Sequence, residues 1–104
     1  MSNIQTVLVK SNDTDVTQAA SSALSELDGY RLIYCEDDKS ASKRLDELKV
    51  DLIFYDLDTK NYGPDNALTH SRLSHSACSR IVVCSNTEMD EGARICEDTA
   101  SYLY

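Results

Sequence analysis

Polar residues that could do chemistry follow three apolar runs of this sequence. Asp13 comes shortly after the first run, Asp56 and Asp58 close the third, and Ser85 and Thr87 follow the fourth. Carboxylates and hydroxyls bind hard cations and hydrogen-bond to charged ligands where a fold brings them together. Whether these five residues meet depends on the strands and helices that position them.

Four short apolar runs predict β-strands that are buried on both faces. They are rich in Val, Ile, Leu and Tyr and nearly continuous rather than alternating, as in a parallel sheet covered by helices. The runs are residues 4–9, 31–35, 51–57 and 80–84, and residues 101–104 form a weaker fifth candidate.

Apolar residues spaced by three and four predict a helix after each of these four runs. The four stripes are Val16, Ala19, Ala20, Ala23, Leu24 and Leu27; Ala41, Leu45 and Leu48; Ala67, Leu68 and Ser71; and Met89, Ala93, Cys96 and Ala100. Polar residues and one proline predict where the helices begin. These are Asp13 or Thr14, then Asp37, Asp38 or Ser40, then Pro64 for a helix over about 64–73, and finally Asn86 or Thr87. Asp28-Gly29 supplies an end for the first helix.

Alternation of strands and helices indicates a three-layer α/β sandwich with right-handed crossovers. The length of 104 residues suits one domain, residues 1–104. In such sheets a functional site lies beyond the carboxyl ends of the strands. We therefore expect the polar residues after the first, third and fourth runs to converge on one crevice.

The charge balance limits the classes of partner. Eighteen Asp and Glu against ten Lys and Arg give a net charge of −8, which argues against nucleic acid and anionic membranes. No apolar run approaches the ~20 residues of a membrane-spanning helix, and the first residues lack the pattern of a secretion signal. A cytoplasmic location is expected.

The residues favour a non-enzymatic module, although a small flavodoxin-like ligand-binding protein or enzyme remains an alternative. With only three glycines, the chain has no Gly-rich phosphate loop after its first strand, and no Ser-His-Asp or Cys-His arrangement has a credible spacing. The cysteines at 35, 78, 84 and 96 are expected to be free thiols. His70, His75 and Cys78 do not have a standard zinc spacing.

The chain resembles the receiver domain of two-component response regulators over nearly its whole length. The most specific stretch is VDLIFYDLD (50–58), which is similar to the family's third strand. The resemblance extends to VLVKSNDTDV (7–16), IVVCSN (81–86) and EDTASYLY (97–104). It implies strand order 2-1-3-4-5, Asp56 as the phosphoacceptor, and Ser85 and Tyr102 as switch residues.

The resemblance also implies a weakened magnesium site. Family members carry two adjacent acids where this sequence has Ser11 and Asn12. The Mg²⁺ ligands that it implies here are Asn12, Asp13, Asp56 and Asp58, with weak or absent binding. The family's lysine would lie just beyond Tyr104. Lys10 entering the crevice in its place is an alternative, but a solvated loop position is expected for Lys10.

The partners that the resemblance implies are a histidine kinase or phosphotransfer protein, or another protein. Since the family's fifth helix has no counterpart in the sequence, one sheet face is expected to be uncovered. Candidates for the uncovered residues are Val7 or Leu8, Ile53 or Phe54, and Leu103. A second copy, a partner protein or residues outside this sequence would close that face, so a homodimer is possible.

Overall fold

The computed structural model describes residues 4–25, 29–74 and 77–103, which form a parallel sheet with helices on both faces. The strands are β1 (Gln5–Lys10), β2 (Tyr30–Cys35), β3 (Leu52–Asp56), β4 (Ser79–Val83) and β5 (Tyr102–Leu103). Their order is β2-β1-β3-β4-β5, and every neighbouring pair is parallel. The predicted fold class and strand order are confirmed. Leu27, Asp28, His75 and Tyr104 lie outside the described residues.

Four helices connect the strands: α1 (Thr14–Ser25), α2 (Asp38–Glu47), α3 (Ala67–Ser74) and α4 (Met89–Thr99). A 3₁₀ turn, Asn86–Glu88, precedes α4. Side-chain caps set the starts of α1 and α2, because the first N–H groups of a helix need acceptors. The Asp13 carboxylate accepts from the Asp15 amide at 2.9 Å, and the Asp37 carboxylate accepts from the Ser40 amide at 2.8 Å. Among the described residues, no helix is long and apolar enough to cross a membrane.

The predicted start of the third helix is wrong by three residues. Pro64 lies in the preceding loop, and α3 begins at Ala67. The Asn66 side chain determines this start, because its oxygen accepts from the Thr69 amide at 2.8 Å while its nitrogen donates to the Gly63 carbonyl at 2.7 Å. An asparagine cap therefore decides the boundary, rather than the proline.

The predicted apolar stripe of the fourth helix is also largely wrong. Of its four residues only Cys96 is buried, whereas Ala93, Ala100 and Met89 are exposed. The buried positions of α4 are Gly92, Ile95, Cys96 and Thr99. A Cβ on Gly92 would lie 2.9 Å from the Cys84 Sγ, so the helix approaches the sheet through a residue without a side chain. Hydrophobicity alone does not reveal such a contact.

Two clusters of buried side chains lie on opposite faces of the sheet. The larger one joins α2, α3 and α4 to the sheet through residues such as Leu45, Leu68, Ile95, Ile53 and Val82. The smaller one, Val7, Val9 and Ala20, lies beneath α1, with Leu24, Leu32, Leu52 and Phe54 packed around it. The two faces of the sheet are therefore covered unequally by the described helices.

The sheet face beside α1 carries incompletely buried apolar residues, but these are mostly not the residues predicted to be uncovered. Val7, Leu8 and Ile53 are buried, and Leu103 packs against the larger cluster, so of the predicted candidates only Phe54 is one of these incompletely buried residues. Side-chain alternation places the half-buried Ile81 and Val83 on the face opposite Val82. The apolar strip comprises Leu52, Phe54, Ile81, Val83 and Tyr102. Because α1 packs against β1 and β2, the strip follows β3, β4 and β5 instead.

Candidate functional site

The residues after β1 and β3 meet at one edge of the sheet, as predicted. Asp56 ends β3 and is half-buried, and its carboxylate accepts a hydrogen bond from the Ser11 hydroxyl at 2.7 Å. Ser11 is buried, and its Oγ also accepts from the Asp13 amide at 3.0 Å. The loop after β1 is therefore fixed against the end of β3, and we call the region around Ser11 and Asp56 the crevice.

Lys10 lies inside this crevice, contrary to the expectation of a solvated loop lysine. Its side chain is buried, and Nζ donates to the main-chain oxygen of Asp56 at 3.1 Å. The ammonium lies 4.6 Å from the centre of the Tyr55 ring, a cation–π distance, and 4.0 Å from the Asp38 carboxylate. The Lys10 side chain lies on the same face of the sheet as Leu8, opposite to Val9. Its apolar stem is therefore covered, while its ammonium group reaches the edge of the sheet.

Asp38 joins three elements below the crevice. Its Oδ1 accepts from the Tyr55 hydroxyl at 2.7 Å and from the Ala67 amide at 2.8 Å. It thereby connects the first residue of α2 with β3 and with the first residue of α3. Burial, and then the hydrogen bond to the Asp38 carboxylate, raise the pKa of Tyr55, so the phenol stays protonated.

Ser85 lies on the other side of the crevice and is bound by Glu88. The Ser85 hydroxyl donates to one Glu88 carboxylate oxygen at 2.8 Å. The other oxygen accepts from the Thr59 hydroxyl at 2.6 Å and from the Thr59 amide at 3.2 Å. We call this arrangement the Glu88 clamp, because it ties the loop after β3 to the loop after β4. The Thr59 hydrogen bond, followed by the Ser85 hydrogen bond, lowers the pKa of Glu88.

Tyr102 lies on the apolar strip. It is 70% exposed, pairs with Ile81 of β4 and precedes Leu103, whose side chain packs on the opposite face. Its assignment as a switch residue stays a prediction. The four cysteines are free, and burial raises the pKa of all four thiols.

The four residues that the resemblance implies as magnesium ligands do not form a group suited to the ion. The Asp13 carboxylate caps α1, and the Asp58 carboxylate accepts from the Lys60 amide at 3.1 Å and the Asn61 side chain at 2.6 Å. Asn12 is exposed. Within 4–25, 29–74 and 77–103, no three His, Cys, Asp or Glu residues are placed to hold a metal ion. The described arrangement of these residues does not fit a magnesium site, and the expectation of weak or absent Mg²⁺ binding stays a prediction.

Sequence reasoning missed the roles of Asp38, Glu88 and Thr59 in this region. Asp38 was considered only as a residue that opens a helix, and Glu88 is one of several acids near the start of α4. Lys10 was misplaced, although its position directly after buried Val9 was a usable signal. No comparable signal marks Glu88, because its partner Thr59 lies on a loop 29 residues away.

Comparisons with known proteins support the fold. No protein-family model matches the chain, and no curated protein matches it. Solved structures do match. The signal receiver domain of an HD domain-containing protein from Pseudomonas fluorescens Pf-5 has a TM-score of 0.83 at 20% identity, over 100% of this chain and 76% of that one.

Two further structures give the same result. The receiver domain of NtrC4 from Aquifex aeolicus has a TM-score of 0.76 at 20% identity, over 92% of this chain and 78% of that one. The response regulator domain of Thermotoga maritima CheB has a TM-score of 0.72 at 22% identity, over 96% of this chain and 77% of that one. The chain has the fold of receiver domains. At such low identity a likeness in fold does not carry function with it.

Proposed function

We propose that this chain is a receiver-type module of a two-component or phosphorelay system that acts mainly through protein–protein contacts. The observation that carries the proposal is the position of Asp56. It ends the third strand of a sheet with receiver order, its carboxylate faces Ser11, and a second hydroxyl, that of Ser85, follows the neighbouring strand. A histidine kinase or phosphotransfer protein is the corresponding donor.

Phosphorylation is expected to be slow and confined to Asp56. Ser11 and Asn12 replace two acids, and the Asp13 and Asp58 carboxylates are engaged in local turns. Incubation of the purified protein with acetyl phosphate and Mg²⁺, followed by intact mass measurement, tests this expectation. Asp56→Asn should abolish the label, whereas the control Asp58→Asn should keep it. Rapid stoichiometric labelling, or a label that survives Asp56→Asn, would contradict the proposal.

Contact with a protein partner is proposed to use the apolar strip, with a second copy of the chain as one partner. The strip residues carry no charge, and burial of apolar surface contributes ~25 cal/mol per Å² before the costs of association. Net charge opposes self-association, so the mass found by sedimentation at micromolar concentration should rise with salt. Tyr102→Glu should keep the chain monomeric, and Tyr30→Glu, at another exposed tyrosine, should not. A monomer under all salt conditions would exclude the homodimer.

One observation favours a ligand-binding protein as the second candidate. An open groove of about 460 Å³ is lined by Ser11, Asn12, Thr17, Gln18, Tyr34 and Glu36, among others. The hydroxyl, amide and carboxylate groups among its lining residues can hydrogen-bond to a small molecule. Native mass measurement and the colour of the purified protein separate this candidate from the receiver.

A further inference from the structure

We propose that Lys10 supplies the positive charge with which Asp56 holds a phosphoryl-like anion, so that anion binding needs no divalent cation. This inference rests on the proposed function, since it takes Asp56 as the acceptor position. It goes beyond that function by assigning a charge-compensating residue that the resemblance does not imply.

The first argument is the location of the Lys10 charge. The ammonium is bonded to Asp56 itself, through the main-chain oxygen at 3.1 Å, and only 5% of the residue is exposed. A phosphoryl-like group on the Asp56 carboxylate adds negative charge to a residue that Lys10 already contacts. The flexible stem of lysine lets its ammonium turn from the carbonyl toward that new charge.

The second argument is that the surrounding residues position Lys10 without fully neutralising its positive charge. The Tyr55 ring lies 4.6 Å below the ammonium and contributes no formal charge. The Asp38 carboxylate is 4.0 Å away, at the limit of an ion pair, and its Oδ1 already accepts from Tyr55 and Ala67. Asp38 and Tyr55 therefore position Lys10, and its ammonium group remains able to hydrogen-bond to an anion on Asp56.

The third argument is the poor fit of the crevice to magnesium. The implied carboxylate ligands Asp13 and Asp58 accept hydrogen bonds from their own loops. A divalent ion on Asp56 would also lie close to the Lys10 ammonium, and like charges at such distances repel. Both effects weaken the binding of a metal ion, and they leave the Lys10 ammonium as the compensating positive charge.

Beryllofluoride, which mimics a phosphoryl group on a carboxylate, provides the test. The protein is passed over a chelating resin, and binding is followed by ¹⁹F and amide NMR with and without added Mg²⁺. The wild-type chain should bind beryllofluoride without the metal, and Asp56→Asn should not. Lys10→Met should weaken binding about tenfold or more, as expected for a lost charge-assisted hydrogen bond.

Two control variants separate charge from folding. Lys10→Arg keeps the positive charge and should retain most of the binding, and Lys60→Met, at an exposed loop lysine, should match the wild type. An amide NMR titration with Mg²⁺ adds a readout that structural damage would not produce. Lys10→Met should bind Mg²⁺ more tightly than the wild type, because a repelling charge is gone.

The outcomes distinguish the inference from the function on which it rests. Beryllofluoride binding at Asp56 that requires Mg²⁺ would overturn the role of Lys10 and leave the receiver intact. Equal binding by wild type and Lys10→Met would also overturn it. Absence of binding at Asp56 under both conditions would overturn the inference together with the phosphoacceptor role of Asp56.

Discussion

At the scale of single residues, Glu88 links the loop after β3 to the loop after β4. Its carboxylate accepts from Thr59 on one loop and from Ser85 on the other, so neither hydroxyl moves freely while the clamp holds. A Ser85 hydroxyl that is to reach an anion on Asp56 must first leave Glu88. The clamp therefore opposes the switch role proposed for Ser85.

Replacement of Glu88 by glutamine should loosen both loops. The amide keeps one oxygen acceptor and loses the charge that strengthens the three hydrogen bonds. Amide hydrogen exchange measured by NMR should become faster at Thr59, whose N–H donates to Glu88. Glu91→Gln is the matched control, because Glu91 pairs with Arg94 within α4 and does not belong to the clamp. Unchanged exchange at Thr59 in Glu88→Gln would contradict the clamp.

Residue-scale predictability from sequence differed within the crevice. The positions of Asp56 and Ser11 at one edge of the sheet could be predicted, because each lies at the end of a strand that its apolar residues identify. The phosphoacceptor role of Asp56 stays a prediction. Lys10 was placed wrongly, because a lysine in a loop is usually solvated and only its partners Tyr55 and Asp38 explain its burial. Glu88 was not anticipated, since its hydrogen bonds depend on how two loops come together.

At the scale of elements, Asp38 positions two helices against the sheet. It is the first residue of α2, it receives the Tyr55 hydroxyl from β3, and it caps the first amide of α3. Sequence patterns located α2, with Asp37 as one of three candidates for its start, but the start of α3 and the buried face of α4 were predicted wrongly. A side-chain hydrogen bond of Asn66 determines the start of α3, and close packing at Gly92 determines the buried face of α4. Neither effect is visible in the spacing of hydrophobic residues.

Asp38→Ala should destabilise the fold far more than removal of an exposed aspartate. It leaves the Tyr55 hydroxyl and the Ala67 amide without their acceptor and removes the carboxylate that lies 4.0 Å from the Lys10 ammonium, at a cost of about 3 kcal/mol in unfolding free energy. Asp38→Asn keeps an acceptor oxygen and should cost less. Urea denaturation measures both, with Asp65→Ala as the exposed control near the start of α3. A loss in Asp38→Ala no larger than in the control would show that the bridge does not stabilise the fold.

At the scale of the whole molecule, the alternation of strands and helices was enough to predict a parallel sheet, whereas its strand order followed from the resemblance to receiver domains. The cover of that sheet was harder to predict, because the position of the apolar strip depends on where α1 packs. The net charge of −8 and the uncharged strip act in opposite directions on association. The stability of the fold also depends on pH, because several titratable groups are buried or hydrogen-bonded in the folded state.

Stability is expected to be greatest between about pH 5 and pH 9. On the acid side, hydrogen bonds from Ser40 lower the pKa of Asp37, and those from Thr59 and Ser85 lower the pKa of Glu88. Their contribution is present above their ordinary values of 3.8 and 4.5 and is lost as pH falls through the lowered values. On the alkaline side, burial raises the pKa of Cys35, Cys78 and Tyr55 above ordinary values of 9.0, 9.0 and 10.0. Their contribution is complete below those values and is lost as pH rises.

Tyr55→Phe tests the alkaline side. The wild type should lose up to about 1.4 kcal/mol of unfolding free energy per pH unit above pH 10 from Tyr55 alone, because the unfolded chain releases that proton and the folded chain does not. Tyr55→Phe should begin about 1 kcal/mol less stable at pH 7, through the lost bond to Asp38, and then decline less steeply. Tyr34→Phe, at a tyrosine that is 47% exposed, should follow the wild-type slope. Urea unfolding between pH 7 and pH 11 gives the three slopes, and equal slopes for wild type and Tyr55→Phe would contradict the assignment of this titration to Tyr55.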